Sequence, residues 1–335
     1  MGDGAPERPR VFVTRRLEGL GAPDVLDPLR ARARCDVWEA ALPPAPDEMR
    51  TRLAGCQGLF CLLTDPIDRE LLESCRQLRV VSSMSVGVDH VDVAAASARG
   101  IPVGHTPGVL VETTADLSFG LMLAAARRIP EADRFVREGR WIADRRWEPD
   151  MLLGRDLHGA TLGVIGLGAI GRAVARRARG FGMRVLGWTR SGRSVEGVES
   201  ADLDRLLAES DFVSIHVALV EDTRGLLDAR AIAKMKRGAI LINSARGGLL
   251  DEEALARALA SGALAAAALD VFAGEPLSPE SPLLELDNVV LSPHIGSGSV
   301  ATRRRMAELA VENLLAGLEG RPLPHCVNPA VSGRR

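Results

Sequence analysis

A histidine between a proline and a glycine-rich bend, in the stretch LSPHIGSGS at residues 291–299, ends an apolar run and so sits where a strand would open onto a ligand. Two other residues could work with His294. Arg246 closes the run GAILINSAR (238–246), and Glu275 follows ALAAAALDVF (263–272) after a short turn. These types match what hydride reduction of a 2-keto acid asks of a protein: a cation for the substrate carboxylate, a proton donor for the carbonyl oxygen, and a carboxylate to hold that donor charged. Arginine suits the first role because its fork binds a carboxylate through two bonds. Histidine suits the second because it titrates near neutrality. Gly296 and Gly298 would let backbone approach a ligand closely. Each residue also has a plain structural reading: Arg246 as an ion-pair partner, Glu275 as a turn residue ahead of Pro276, and Asp270 as a loop cap. His90, His158 and His216 fit no such set and read as structural or surface residues.

A hydride needs a source, and VIGLGAIG places Gly166, Gly168 and Gly171 in GxGxxG spacing between an apolar strand and the helix-like RAVARRARGFG. Gly166 allows the tight turn, Gly168 lets backbone N–H groups reach a pyrophosphate, and Gly171 lets helix pack on strand. Ala169 and Ile170 complete the loop. After the next strand, RVLGW, the segment TRSGR (189–193) lacks the acid that NAD-selective folds place on the ribose hydroxyls. Arg190 and Arg193, with Thr189 and Ser191, could instead hold a 2′-phosphate, so NADP(H) is favoured over NAD(H) as cofactor. In a chain with 42 Lys+Arg, nearly all arginine, the missing acid carries more weight than the arginines present. Ala218, Ser244, Asp270 and Gly296, all at or just beyond strand ends, complete the expected cofactor-binding set.

The elements that must position these residues are legible as an alternation. RVFVTR (10–15) precedes the helical-looking DVLDPLRARA, and GLFCLL (58–63), LRVVSSMSVG (78–87) and IPVGH (101–105) are further short apolar strands. A second series begins at ATLGVIG and continues through DFVSIHVAL (211–219), GAILINSAR, ALAAAALDVF and NVVLSPH (288–294). Such alternation predicts parallel sheets covered on both faces, with ligands beyond the carboxyl ends of the strands. Residues 111–140 predict a long Ala/Leu-rich helix broken near Pro130, read as the spine between two domains, and residues 301–320 a last helix returning to the first domain. The expected fold is therefore α/β, with two Rossmann/flavodoxin-like doubly wound parallel-sheet domains and the cofactor domain inserted into the other. The substrate-binding domain is expected over 1–108 and 297–335, and the NAD(P)-binding domain, with its linker helix, over 109–296.

Composition excludes other classes. A net charge of −2 argues against a nucleic-acid binder, and five cysteines without metal-ligand or CxxC spacing argue against a metal site or a disulfide framework. The start MGDGAPERPR has no apolar core of a signal peptide, and no run reaches the ~18 apolar residues of a membrane helix. A cytoplasmic protein without membrane contact is expected. The apolar helix over 111–129 and the tryptophan-bearing segment after it would suit a homodimer.

In combination, SVGVDHVD, GLGAIGR, NSARG, LDVF followed by GEP, and PHIGS resemble the D-isomer-specific 2-hydroxyacid dehydrogenases, from about Val80 to Gly320. SVGVDH, TPGVLVETTAD and PHIGS are most similar to the glyoxylate/hydroxypyruvate reductases of that family. The resemblance implies that Arg246 binds the substrate carboxylate, Glu275 partners the histidine and His294 is the acid/base. It also implies that backbone at Val86 and Gly87 meets the carboxylate and that Asp270 lies near the nicotinamide. The implied reaction is NAD(P)H-dependent reduction of small 2-keto acids such as glyoxylate and hydroxypyruvate to D-2-hydroxy acids. The alternatives are an NAD-linked dehydrogenase of a larger hydroxy acid or phosphoglycerate, and a dinucleotide-sensing corepressor. The chain departs from the pattern at Gly298, where many relatives carry alanine or threonine. Trp141 or Trp147 matches only at longer spacing the tryptophan that such reductases place beside a neighbouring subunit's substrate. Glu275 stands where formate-oxidising relatives carry glutamine.

Overall fold

The computed structural model describes residues 8–331, so the first seven residues of the segment read for targeting lie outside it. The chain divides into two compact units, one of residues up to Leu110 with those from Gly298 onward, the other Val111–Ser297.

In the first unit the strands are β1 (Arg10–Val13), β2 (Arg34–Val37), β3 (Gly58–Cys61), β4 (Val80–Ser83) and β5 (Val103–Gly104), in the order β2-β1-β3-β4-β5. All pairings are parallel. β3 and β4 are buried at every residue, as expected of strands covered on both faces. The helix Val300–Leu318 lies on them so closely that a Cβ at Gly317 would come within 2.5 Å of Val80 Cγ2. The helical reading of DVLDPLRARA needs correction. Only Asp27–Arg30 is helical, because the chain turns over residues 31–33 and enters β2 at Arg34, an edge strand whose Arg34 and Asp36 hide it from an apolar-run search.

The second unit contains β6 (Thr161–Ile165), β7 (Arg184–Trp188), β8 (Glu199–Ser200), β9 (Phe212–Ile215), β10 (Ile240–Asn243), β11 (Ala266–Leu269) and β12 (Val289–Leu291). Their order is β12-β11-β10-β9-β6-β7-β8, again parallel throughout. Both units are thus doubly wound α/β sheets, and the second reverses its winding at β6, which pairs with both β7 and β9. The expected long helix is two, Val111–Ala126 and Ile129–Arg137. Arg128 sits between them at φ 53, bonded to Glu131 at 2.7 and 2.8 Å, with Pro130 in the first turn of the second helix, where its missing N–H costs nothing.

Candidate active site

Three loops at the carboxyl ends of β10, β11 and β12 carry the residues singled out above. His294 follows β12 and adopts φ 53, a left-handed conformation that a non-glycine residue holds only when its surroundings enforce it. Asp270, fully buried after β11, does the enforcing. Its carbonyl accepts from the His294 amide at 2.9 Å, and its Oδ1 accepts from the Ile295 amide at 2.9 Å and the Ser292 hydroxyl at 2.6 Å. From the helix Val111–Ala126, the Thr114 hydroxyl donates to the Gly296 carbonyl at 3.0 Å. The bend after the histidine is therefore pinned on both sides.

Held this way, His294 Nδ1 lies 2.7 Å from Glu275 Oε2, with side chains only 23% and 27% exposed. Glu275 also accepts from the Phe272 amide at 3.1 Å. Burial pushes the Glu275 carboxyl up, but the bond and charge of His294, the Phe272 amide and the charge of Arg246 outweigh it, so the net shift is downward and the group stays ionised. Gly247, next to Arg246, lets the Arg246 loop pack directly on the loop that carries Glu275: a Cβ there would lie 1.8 Å from the carbonyl carbon of Phe272. The Arg246 loop is tied to β10 by the Asn243 amide donating to the Arg246 carbonyl at 2.9 Å. Imidazole, carboxylate and guanidinium thus belong to one electrostatic cluster.

A cleft of ≈ 620 Å³ opens at the reversal point of the same sheet, lined by Gly166, Gly168, Thr189, Arg190, Ser191, Arg193 and Ala218 among others. Gly168 caps the helix Ala169–Gly180 without any side-chain bond, leaving its first amides to a ligand. A Cβ at Gly171 would lie 1.9 Å from the Gly166 carbonyl oxygen and one at Gly166 2.7 Å from the His216 carbonyl oxygen, whereas Gly168 faces open space. Two glycines therefore permit packing and the third permits approach, which is what a bound dinucleotide pyrophosphate requires.

Residues 119–296 match the family described as D-isomer specific 2-hydroxyacid dehydrogenase, NAD binding domain. The chain belongs to this family. Over 328 residues it is 48% identical to the glyoxylate reductase of Korarchaeum cryptofilum, covering 97% of both chains. It is 46% identical over 330 residues to that of Aeropyrum pernix, again covering 97% of each. Among solved structures, the NADPH-dependent glyoxylate/hydroxypyruvate reductase of Sinorhizobium meliloti, in complex with NADP and malonate, superposes with a TM-score of 0.83 at 34% identity over 96% of this chain and 97% of that one. The protein is accordingly an NAD(P)-dependent dehydrogenase of the glyoxylate reductase branch, with a nicotinamide dinucleotide as cofactor.

Within this family member the structure groups the expected residues unevenly. His294 and Glu275 are hydrogen-bonded, Arg246 lies near enough for its charge to act on Glu275, and six of the expected cofactor residues line the cleft. Ala169, Ile170 and Gly171 form the first turn of the helix behind it, and Ser244, whose hydroxyl lies 2.7 Å from that of Ser118, is buried. Asp270 does cap a loop, yet its Oδ2 is buried with no hydrogen-bond partner among the described residues, an acceptor left over for a ligand. His216, read as structural, also lines the cleft, its Nε2 2.8 Å from the Ser214 hydroxyl. Arg172 and Thr223, which line it too, were not singled out in the sequence. Their only signal is a position one turn past the glycine loop or beyond a strand end. Val86 and Gly87 follow β4 in the other unit, half-buried.

Proposed function

We propose that the protein reduces glyoxylate and hydroxypyruvate, using NADPH in preference to NADH and forming the D-hydroxy acid where a stereocentre arises. The 2.7 Å His294–Glu275 pair carries the reading, because it couples a proton donor to an ionised carboxylate in the domain that also holds the dinucleotide loop. When bound, the reduced nicotinamide supplies the hydride. Arg246 binds the substrate carboxylate and polarises the adjacent carbonyl. His294 donates its proton to the carbonyl oxygen, and Glu275 holds the imidazole oriented and compensates its charge. The backbone of the loop at Val86 and Gly87 is a further carboxylate contact. Asp270 Oδ2 offers an acceptor to the nicotinamide amide. NADPH preference is supported by Arg190 and Arg193 in the cleft and by the absence of an acid in TRSGR.

A homodimer is part of the same reading. The helix Ile129–Arg137 buries none of its residues, and Ile129, Val136, Trp141 and Trp147 are all more than half exposed on one continuous stretch of chain. A second copy is the partner proposed for this surface.

Turnover tests the function directly. Comparing NADPH with NADH across glyoxylate, hydroxypyruvate, pyruvate and phosphohydroxypyruvate is expected to show the highest kcat/KM for NADPH with the first two. No NADPH oxidation with either would refute the proposal, and cofactor binding without turnover would favour a sensing role.

A further inference from the structure

Backbone amides bind an anion only if their N–H groups are turned toward it and are not already engaged. In the loop after β4, three consecutive carbonyls are held by donors of the protein. The Ser85 carbonyl accepts from the Thr106 amide at 2.8 Å, the Val86 carbonyl from His105 Nδ1 at 3.0 Å, and the Gly87 carbonyl from the Ser85 hydroxyl at 2.7 Å. A carbonyl can only accept, so His105 carries its ring hydrogen on Nδ1. The peptides between Ser85 and Val88 are trans, and in a trans peptide N–H points away from C=O. The N–H groups of Val86, Gly87 and Val88 are therefore turned away from the bracing donors, and none has an acceptor among the described residues.

His105 is itself fixed. It stands one residue beyond the last register pair of β4 and β5, Ser82 with Gly104. Its amide donates to the His325 carbonyl at 3.1 Å, and its carbonyl accepts from the fully buried Asn313 side chain at 2.9 Å. Gly104 lies so tight on that asparagine that a Cβ would come within 2.8 Å of Asn313 Cβ. Ser85 is anchored through Ser83, at 2.7 Å, and Ser83 lies 3.0 Å from His90 Nε2.

We propose that His105 is a positioning residue for the substrate: by locking the Val86–Gly87 peptide it presents the Gly87 N–H to the substrate carboxylate, while Ser85 does the same for the Val88 N–H. The inference rests on the reading of this loop as a carboxylate contact. A brace of this kind acts on binding of the carboxylate, which is shared by ground state and transition state, so its loss raises KM and leaves kcat.

The test uses the full-length enzyme with NADPH, glyoxylate as substrate and oxalate as a non-reacting probe. His105→Leu, which fills the space without a donor, is expected to raise the KM for glyoxylate and the Ki of oxalate about tenfold with kcat within about twofold. His105→Asn, which keeps an N–H near the place of Nδ1, is expected to stay near wild type. Wild-type KM and Ki in His105→Leu, or equal damage in both variants, overturns the proposal. Should His105→Leu fail to fold, Ser85→Ala reads the next peptide, and an unchanged Ki there also overturns it. In the wild type with cofactor bound, oxalate should move the amide resonances of Gly87 and Val88. No movement means that the carboxylate reading itself has failed, whereas movement with an unaltered Ki in His105→Leu defeats the positioning role alone.

Discussion

The two ends of the ligand-binding edge in the second unit are built differently. Around His294 the imidazole and its carboxylate partner are mostly buried side chains, and short bonds to that carboxylate, to the buried Asp270 and to Thr114 hold the bend. At the TRSGR end, Arg190 is 57% exposed and meets a 78% exposed Asp222 at 3.4 Å, and Arg193 has no ion-pair partner among the described residues. Chemistry needs groups fixed to fractions of an ångström, whereas recognition of a phosphate needs charge within reach. Substitutions at the first end should therefore stop turnover, and at the second they should shift which cofactor is used, in a salt-dependent way.

Replacing His294 by alanine should give the largest effect, a loss in kcat of about a thousandfold with NADPH binding retained, as measured by steady-state turnover and by fluorescence titration of the cofactor. Lost cofactor binding would blur the contrast, since His294 would then serve the other end as well.

His216 tests whether the cofactor end is as loose as its arginines suggest. Burial pushes its imidazole from 6.5 down to about 4. Between those values the unfolded chain binds a proton that the native protein does not, so stability is complete above the upper value and is lost as pH falls toward the lower one. Roughly 3 kcal/mol should disappear over that window, read as urea midpoints, and His216→Asn should flatten the slope. An equal acid slope in the variant would assign the loss elsewhere.

Glu275→Gln should lower kcat some ten- to a hundredfold, because a charge-assisted bond becomes a neutral one. The smallest effect is expected from Arg193→Ala, about a tenfold rise in the KM for NADPH that weakens with added salt, with the KM for NADH unmoved. Equal losses with both cofactors would remove the 2′-phosphate from the account.

What the sequence reveals follows the same division. The strands that carry Arg246, Asp270 and His294 are short apolar runs ending in polar residues, and the glycine spacing is local, so both are legible one residue at a time. β2 is not, because an edge strand with a polar face carries no such run. The brace on Val86 is not legible either. His105 and Ser85 act through distances of 3.0 and 2.7 Å across a loop, and nothing in GHTP or SMSVG records which carbonyl a side chain will reach. Gly247 shows the limit from the other side, since an ordinary glycine after an arginine proves to be where two loops touch.

The central claim is that His294 and Glu275 act as one unit, and the double-mutant cycle of His294→Ala with Glu275→Gln measures that coupling directly. The account predicts that kcat of the double variant equals that of His294→Ala alone, because a carboxylate with no imidazole to hold has nothing left to contribute. Fully multiplicative losses would show the two residues working independently and would contradict it.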